Sequence, residues 1–467
     1  MGTPTQYSAR KVTTIFLTVF EGMESKNILR TSILPTLLSS SDSRLVLLVK
    51  HKSRSDYLMR EFNDPRFCYE CVNFSPTQGL DRFLARLKFM LLRTETTNFR
   101  RRIVRQSTGQ SSVGYFMGIA LNWFIARPLI RRIVRCIDFM FVKNFTYDSL
   151  FDTYHPDLVV MANLFDEQEI HLLRGAKKRG IKTVGFINSW DRPSARCMIR
   201  LLPDTYIVFN NLLKNDLVNF HDADSSHIFV SGIPQYDRYI VERPSRREAF
   251  FSSIGEDPRK RLIIYSPLGN EFSNSDWYMI DLLYALQGKG KFGEHTALRV
   301  RFPPNDYLNQ EEVKKRPFLR YDYPGVRFSE KRGIDWDMSP QELFHLSDTL
   351  HHMSLIICYA SSISVDAALL DRPVININFE PITGKSVDGS AIKFYAMAHY
   401  KKALETGGIR LVNSEQELIT WVNAYLGNPL LDHEGRVRLA REQCQFLDGK
   451  SGERIGKFIL EQLHVHS

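Results

Sequence analysis

The spacing of apolar residues changes several times along the chain, and those changes divide it. Val12 to Phe20 is a largely apolar, β-branched run with little polar alternation, as in a strand covered on both faces. A polar loop, Glu21 to Ser25, follows, and then a helix is expected from about Lys26 to Leu38. Leu45 to Val49 and Cys68 to Phe74 predict two further strands, with a short helix over Tyr57 to Phe62 between them. From about Thr77 to Thr146 the strand pattern stops. Phe83, Leu84, Leu87, Met90 and Leu91 recur there at helical spacing, interleaved with Arg82, Arg86, Lys88 and Arg93. Strands return at Leu158 to Ala162, Thr183 to Ile187, Tyr206 to Phe209 and Ile228 to Val230, with a helix near Glu169 to Lys178. Strands alternating with helices predict a parallel sheet.

Glu242-Arg243-Pro244-Ser245 reads as a linker, and a second alternating series begins after it. Its strands are Leu262 to Tyr265, Leu298 to Arg301, Leu355 to Cys358, the strand opened by Pro373, and Ile409 to Val412. Helices at about Ser414 to Leu426 and Arg436 to Leu463 close the chain. The middle of this series, Ser339 to Glu380, is the most legible stretch. Ser339, Pro340 and Glu342 form a capping box with proline at the first helical position. The strand ending at Cys358 leads into Ala360-Ser361-Ser362, small residues suited to a helix N-terminus. The serines there are either a plain cap or, with Ser364, a docking turn for a phosphate.

The run from Ser347 to Met353, followed by Ala360-Ser361-Ser362-Ile363-Ser364-Val365-Asp366-Ala367-Ala368 and Pro373-Val374-Ile375, resembles the donor-binding segment of GT-B-fold glycosyltransferases of surface or capsular polysaccharide synthesis. Asn188-Ser189-Trp190-Asp191, Gly232-Ile233-Pro234-Gln235-Tyr236-Asp237 and Asp448-Gly449-Lys450-Ser451-Gly452-Glu453-Arg454 are similar to motifs of the same proteins. Related layouts occur in CDP-glycerol glycerophosphotransferase-like and UDP-GlcNAc 2-epimerase-like proteins. The resemblance implies an α/β fold of two Rossmann-like domains with a helical basic insertion in the first. Residues 1–240 would be the acceptor domain, with its insertion at about 77–146, and residues 245–430 the nucleotide-sugar donor domain. Residues 431–467 would form a C-terminal helix crossing back to the first domain.

On this reading Ser361, Ser362, Ser364 and Asp366 contact the donor, and Arg299 or Arg301 pairs with its phosphates through the guanidinium fork. Relatives often show Arg-x-His-Pro where this chain has Arg299-Val300-Arg301-Phe302-Pro303-Pro304, so no histidine role carries over. Thr406, Gly407 and Gly408 form either a turn for close backbone approach to a diphosphate or a helix C-cap. A general base should stand at the strand ends of the first domain, which nominates Asp191, Glu21 and Glu24. Trp190 and Ser189 would face the acceptor. Asp335-Trp336-Asp337 has Asp-x-Asp spacing but directly precedes the capped helix, so neither a metal nor another cofactor is expected. His351-His352 reads as packing or dipole compensation.

Charge adds one feature. Of a formal net charge of +10, the segment from Arg82 to Lys143 holds thirteen Lys or Arg against Glu95 and Asp138, a net +11, so the rest is near neutral. Arg100, Arg101, Arg102, Arg131 and Arg132 beside Trp123 predict a segment for an anionic membrane surface; a solvated helix face is the alternative. No apolar run reaches the length of a membrane span. Six cysteines without a framework point to a reduced, cytoplasmic setting. The expected activity is transfer of a sugar from a nucleotide-sugar donor to a surface-glycan or lipid-linked acceptor at the inner membrane face. A CDP-glycerol-type polyol-phosphate transferase, a UDP-sugar 2-epimerase and a non-catalytic nucleic-acid- or glycan-binding protein are the alternatives. The absence of a recognisable nucleic-acid module argues against nucleic acid as partner.

Overall fold

The computed structural model describes residues 12–39, 42–74, 77–108, 111–269, 272–273, 275–328, 336–381 and 390–464. Its first sheet has seven parallel strands: β1 (Thr13–Thr18), β2 (Ser43–Val49), β3 (Phe67–Cys71), β4 (Leu158–Met161), β5 (Lys182–Phe186), β6 (Thr205–Val208) and β7 (Ile228–Val230). The spatial order is β3-β2-β1-β4-β5-β6-β7. Ile15, Phe16, Leu17 and their neighbours Leu45 to Val49 are wholly inaccessible, because helices cover both faces and a parallel sheet has no wet side.

The second sheet repeats the plan with β8 (Arg261–Ser266), β9 (Thr296–Arg301), β10 (Tyr321–Asp322), β13 (Met353–Cys358), β14 (Val374–Ile377) and β15 (Arg410–Val412), in the order β10-β9-β8-β13-β14-β15. A small antiparallel pair, β11 (Val326–Arg327) and β12 (Trp336–Asp337), stands apart. In each sheet the winding reverses once, between β1 and β4 and between β8 and β13. Such reversals leave a crevice at the carboxyl ends of the strands. The loops after β1, β5, β8, β9 and β13 all lead to one place between the domains.

The expected single helix from Lys26 to Leu38 is broken. A helical turn Gly22–Glu24 runs into a π-helical turn Ser25–Leu29, and the helix restarts at Ile33–Leu37. π-turns are rare and often mark functional sites. The capping box at Ser339 forms as the sequence predicts, with Ser339 Oγ accepting from Glu342 N at 3.2 Å and Glu342 Oε2 accepting from Ser339 N at 2.8 Å. The expected closing helix over Arg436 to Leu463 is two helices, His433–Cys444 and Ser451–His464. The first packs on Ile363–Leu369 of the second domain. The second returns to the first domain, where it packs on Ile33–Leu37 and stacks Phe458 on Phe229 at 4.2 Å.

Four helices make up the insertion: Gly79–Leu87, Glu95–Thr108, Ser112–Ile125 and Pro128–Phe141. The last two are inverted relative to ordinary amphipathic helices, Ser112–Ile125 burying only Asn122. On Pro128–Phe141 the buried residues are Arg131, Arg135 and Asp138, spaced four and three apart on one face. Arg131 and Arg135 hold Asp222, while Asp138 holds Arg174 and Arg200. Asp81 of the first helix joins Arg200 at 2.9 Å. Phe116, Met117, Phe124 and Leu129, by contrast, are 62%, 67%, 65% and 69% exposed. The insertion therefore docks on the domain by ion pairs and turns its apolar side out. Among the described residues no single helix is long and apolar enough to cross a membrane. Ser112–Ile125 and Pro128–Phe141, bent by 81°, reach that measure only as a pair.

Candidate functional site

A cavity of about 410 Å³ lies between the domains. The π-turn after β1 contributes Lys26, and the Trp190-Asp191 corner after β5 forms one wall. Arg301 with Phe302 and Pro303 comes from the end of β9, and Ala360 to Ile363 from the turn after β13. Met397 and His399 enter from the start of helix Ala398–Glu405, and Arg100 reaches in from the insertion.

Three cations stand on this wall, and none of them is hydrogen-bonded to an acid among the described residues. Lys26 and Arg100 make no hydrogen bond or ion pair among the described residues. For Arg301 the closest acid oxygen is Asp322 Oδ2 at 3.7 Å, beyond hydrogen-bond reach, and its Nη1 is buried without a partner. Burial pushes the Lys26 ammonium below its ordinary range, opposed mainly by Asp366, and it pushes down Arg301 as well, opposed mainly by Asp322. Lys26 is desolvated without a counter-ion among the described residues and Arg301 keeps one only at 3.7 Å, a costly arrangement that an entering anion would relieve, while Arg100 is exposed at the edge.

Opposite the cations, Asp191 and His399 face the cavity from different domains. Burial alone would raise the Asp191 carboxyl. His399, the Ser189 hydroxyl that donates to Asp191 Oδ1, and then Arg192 and Arg196 outweigh burial and hold it below the carboxylate range. Burial lowers the His399 imidazole, with Asp191 opposing and Arg100 and Lys402 assisting. The imidazole is therefore neutral at neutral pH, and its Nδ1 has no partner. Trp190 packs edge-on to it, with ring centroids 5.0 Å apart.

The remaining sequence candidates divide. Ser361 and Ser362 are on the cavity wall, but the Ser361 N–H is 3.3 Å from the Tyr400 hydroxyl. Ser364 is fully buried behind the turn, 3.0 Å from the same hydroxyl. Asp366 reaches the cavity, yet its two oxygens accept from Tyr236 and Tyr239, both at 2.7 Å. It ties the second domain to the first. Arg299 is off the wall, because its guanidinium is spent on Asp322 and the Ile254 and Tyr321 carbonyls.

Thr406, Gly407 and Gly408 also lie away from the cavity. Gly407, at φ +75°, ends helix Ala398–Glu405, and a Cβ on Gly408 would come within 2.6 Å of the Gly435 carbonyl oxygen. The turn is a C-cap and a close backbone crossing. Glu21 binds Arg192 at 3.2 Å, and Glu24 is completely buried, its Oε2 taking the Phe20 and Glu21 N–H groups. Neither lines the cavity.

Asp335 of the Asp-x-Asp run lies outside the described residues. Asp337 is buried between the domains, 2.7 Å from Ser25 Oγ and 3.5 Å from the Arg30 guanidinium. Gly22 is required beside it, since a Cβ there would sit 2.2 Å from the Trp336 carbonyl oxygen. The residues expected at a membrane surface also separate. Arg100 lines the cavity, Arg101 bonds Asn98 and Asn122, and Arg131 is buried on Asp222. Arg102, Trp123 and Arg132 are exposed. Sequence reasoning missed Lys26 and His399. Lys26 was findable as the first cation after the first strand, whereas His399 follows no motif.

No family model matches the sequence, and no curated protein matches it. Solved structures do. A UDP-GlcNAc 2-epimerase from Neisseria meningitidis bound to UDP-GlcNAc superposes over 96% of this chain and 99% of its own, with a TM-score of 0.53 at 13% identity. S. aureus MnaA in its UDP co-structure covers 96% and 97%, with a TM-score of 0.51 at 11% identity. The wall teichoic acid polymerase TagF soaked with CDPG covers 97% and 88%, with a TM-score of 0.51 at 12% identity. The fold is thus the two-domain Rossmann-like arrangement of the GT-B kind, with the helical insertion added to its first domain.

Proposed function

We propose that this protein transfers a sugar from a nucleotide-sugar donor to a hydroxyl of a lipid-linked glycan acceptor at the cytoplasmic face of a membrane. The observation that carries this reading is the set of cations Lys26, Arg301 and Arg100, none of them hydrogen-bonded to an acid among the described residues, around a cavity that also holds a neutral imidazole. Similar folds have been solved with UDP-GlcNAc, UDP and CDPG, which supports a nucleoside diphosphate as the anion. The cations would stabilise the negative charge that grows on the leaving diphosphate, where preorganised charge is worth most.

In the proposed step, the acceptor oxygen bonds to the anomeric carbon, the carbon–oxygen bond to the diphosphate breaks, and the hydroxyl proton passes to His399. Asp191 is a weak base because its carboxylate is already stabilised. It suits the task of compensating the imidazolium as that forms. This assigns the base to His399 and an electrostatic role to Asp191, and gives none to Glu21 or Glu24.

The outward apolar faces of the insertion support the membrane part of the proposal. An exposed apolar patch rimmed by basic residues is the pattern of an interfacial segment. The test is a thermal-shift screen of UDP, CDP, GDP and TDP, followed by product analysis with the matching donor. A ligand at about a hundred times its Kd stabilises by about 2.7 kcal/mol. Release of nucleoside diphosphate with acceptor-dependent turnover is expected. Release of nucleoside monophosphate would mean polyol-phosphate transfer, and interconversion of the donor sugar without acceptor would mean epimerisation. No shift with any nucleotide would refute the reading.

A further inference from the structure

A second pocket, of about 330 Å³, opens at the surface of the insertion between helices Glu95–Thr108 and Ser112–Ile125, with Phe89 and Val104 each 52% exposed. Its volume is at the small end of the ~300–1,000 Å³ typical of ligand pockets. Phe89, Met90, Val104 and Tyr115 give it an apolar lining, joined by Arg100, Arg196 and Arg101, the last already bonded to Asn98 and Asn122. Neither Arg100 nor Arg196 makes an ion pair among the described residues, and both lie close enough to Asp191 for their charges to be felt there. Arg100 is on the wall of both cavities, so this exposed guanidinium stands between the apolar pocket and the interdomain site. Helix Ser112–Ile125 links the pocket to the outside: Gly114, Tyr115 and Gly118 line it, while Phe116, Met117 and Phe124 of the same helix are exposed.

An apolar chamber that ends in free guanidinium groups fits one kind of ligand, a hydrocarbon chain ending in a phosphate. The guanidinium fork takes phosphate oxygens two at a time, and the lining takes the chain. We infer that this chamber receives the phosphate-bearing end of a single-chain membrane lipid that carries the acceptor. The chain would enter from the exposed face of helix Ser112–Ile125, the phosphate would rest between Arg196 and Arg100, and the acceptor hydroxyl would project past Arg100 towards His399. The inference rests on the transferase reading, and it adds the lipid class and the place where that lipid is held.

The experiment titrates the full-length protein calorimetrically with farnesyl phosphate below its micelle concentration, with farnesol and inorganic phosphate as separate arms. Farnesyl phosphate is expected to bind at least about tenfold more tightly than either, because each arm offers only half the chemistry. Two variants follow. At Gly118 a Cβ would meet nothing within 4 Å, so Gly118→Phe can fill the chamber on an undistorted helix. Arg196→Gln removes one phosphate partner and leaves the lining whole. Each should weaken farnesyl phosphate about tenfold or more, the scale of a lost charge-assisted bond. Binding of nucleotide and co-sedimentation with mixed phosphatidylcholine–phosphatidylglycerol vesicles should stay at wild-type levels in both. Equal affinity for the three probes, or unchanged farnesyl phosphate binding in both variants, overturns the lipid site and leaves the transferase reading intact. Retained, variant-sensitive farnesyl phosphate binding with no nucleotide shift would instead remove the transferase reading and keep the site.

Discussion

Glu24→Gln should stabilise the protein, and increasingly so as pH rises. Glu24 is wholly buried next to the equally buried Glu169, and each has an Oε1 without a partner. Burial, reinforced by the charges of Glu21 and Asp166, pushes the Glu24 carboxyl from 4.5 up to about 8. The folded state thus keeps a proton that the unfolded chain releases. For a raised pKa the stability is fully present below pH 4.5 and is lost as pH climbs through about 8. At about pH 7.5 the chain has passed three units beyond the unfolded value at 1.36 kcal/mol each, a loss of about 4 kcal/mol. That is a large part of the ~5–15 kcal/mol that holds a typical protein folded. Glutamine carries no proton to lose, and its amide oxygen can still accept from Phe20 and Glu21. Urea titrations of both proteins, followed by tryptophan fluorescence from about pH 5.5 to about pH 7.5, should show the variant's advantage widening by about 1.4 kcal/mol per unit. Parallel stability curves would refute the buried-acid argument. Full activity in the variant is expected too, since Glu24 does not reach the cavity.

His399→Ala should lower kcat by about 10²- to 10⁴-fold, the usual contribution of a general base, with nucleotide affinity little changed. The acid limb of the wild-type kcat/KM profile should fall below the ordinary imidazole range, because burial lowers His399; a limb at or above that range would contradict the assignment. Lys26→Met should weaken nucleoside diphosphate binding by roughly 10- to 150-fold, as for loss of a charged hydrogen bond of about 1.5–3 kcal/mol, and a thermal-shift titration reads it directly. Gly408→Ala should destabilise the second domain, because its Cβ would press on the Gly435 backbone. Nucleotide affinity measured below the lowered melting temperature should stay the same, and a specific loss of affinity would return that turn to the donor site.

Much of the fold was readable because both sheets are buried on two faces, so that Val12 to Phe20 or Leu355 to Cys358 stand out as apolar runs. The capping box at Ser339 is local chemistry and was equally legible. The break after Leu29 was not, since nothing in the composition of Ser25 to Leu29 distinguishes a π-turn from an α-turn. The cavity wall was legible at Trp190, Asp191, Arg301, Ser361 and Ser362, all at strand ends where a crevice is expected. Legibility failed where side chains are spent elsewhere. Arg299 and Arg301 are alike in sequence, but only the position of Asp322 shows that Arg299 is engaged. Arg131 likewise looked like a surface charge until Asp222, ninety-one residues later, was seen to hold it. His399 becomes interesting only through Asp191, which the sequence places more than two hundred residues away.

The chain passes between the domains twice, once after Val241 and once between Cys444 and Ser451, and the two crossings touch. A Cβ at Gly449 would lie 2.5 Å from Val241. Two connecting segments side by side restrain twist between the halves more than a single one would. Away from those crossings the halves are latched by polar contacts, Ser25 to Asp337 and Thr96 to the Ala398 N–H at 2.9 Å. Lys26 belongs to one half and Arg301 to the other. A motion that separated the halves would carry them apart and divide the cationic site. Arg301 and Lys26 repel each other across the interface, so an anion bound between them would favour the arrangement that holds the two together.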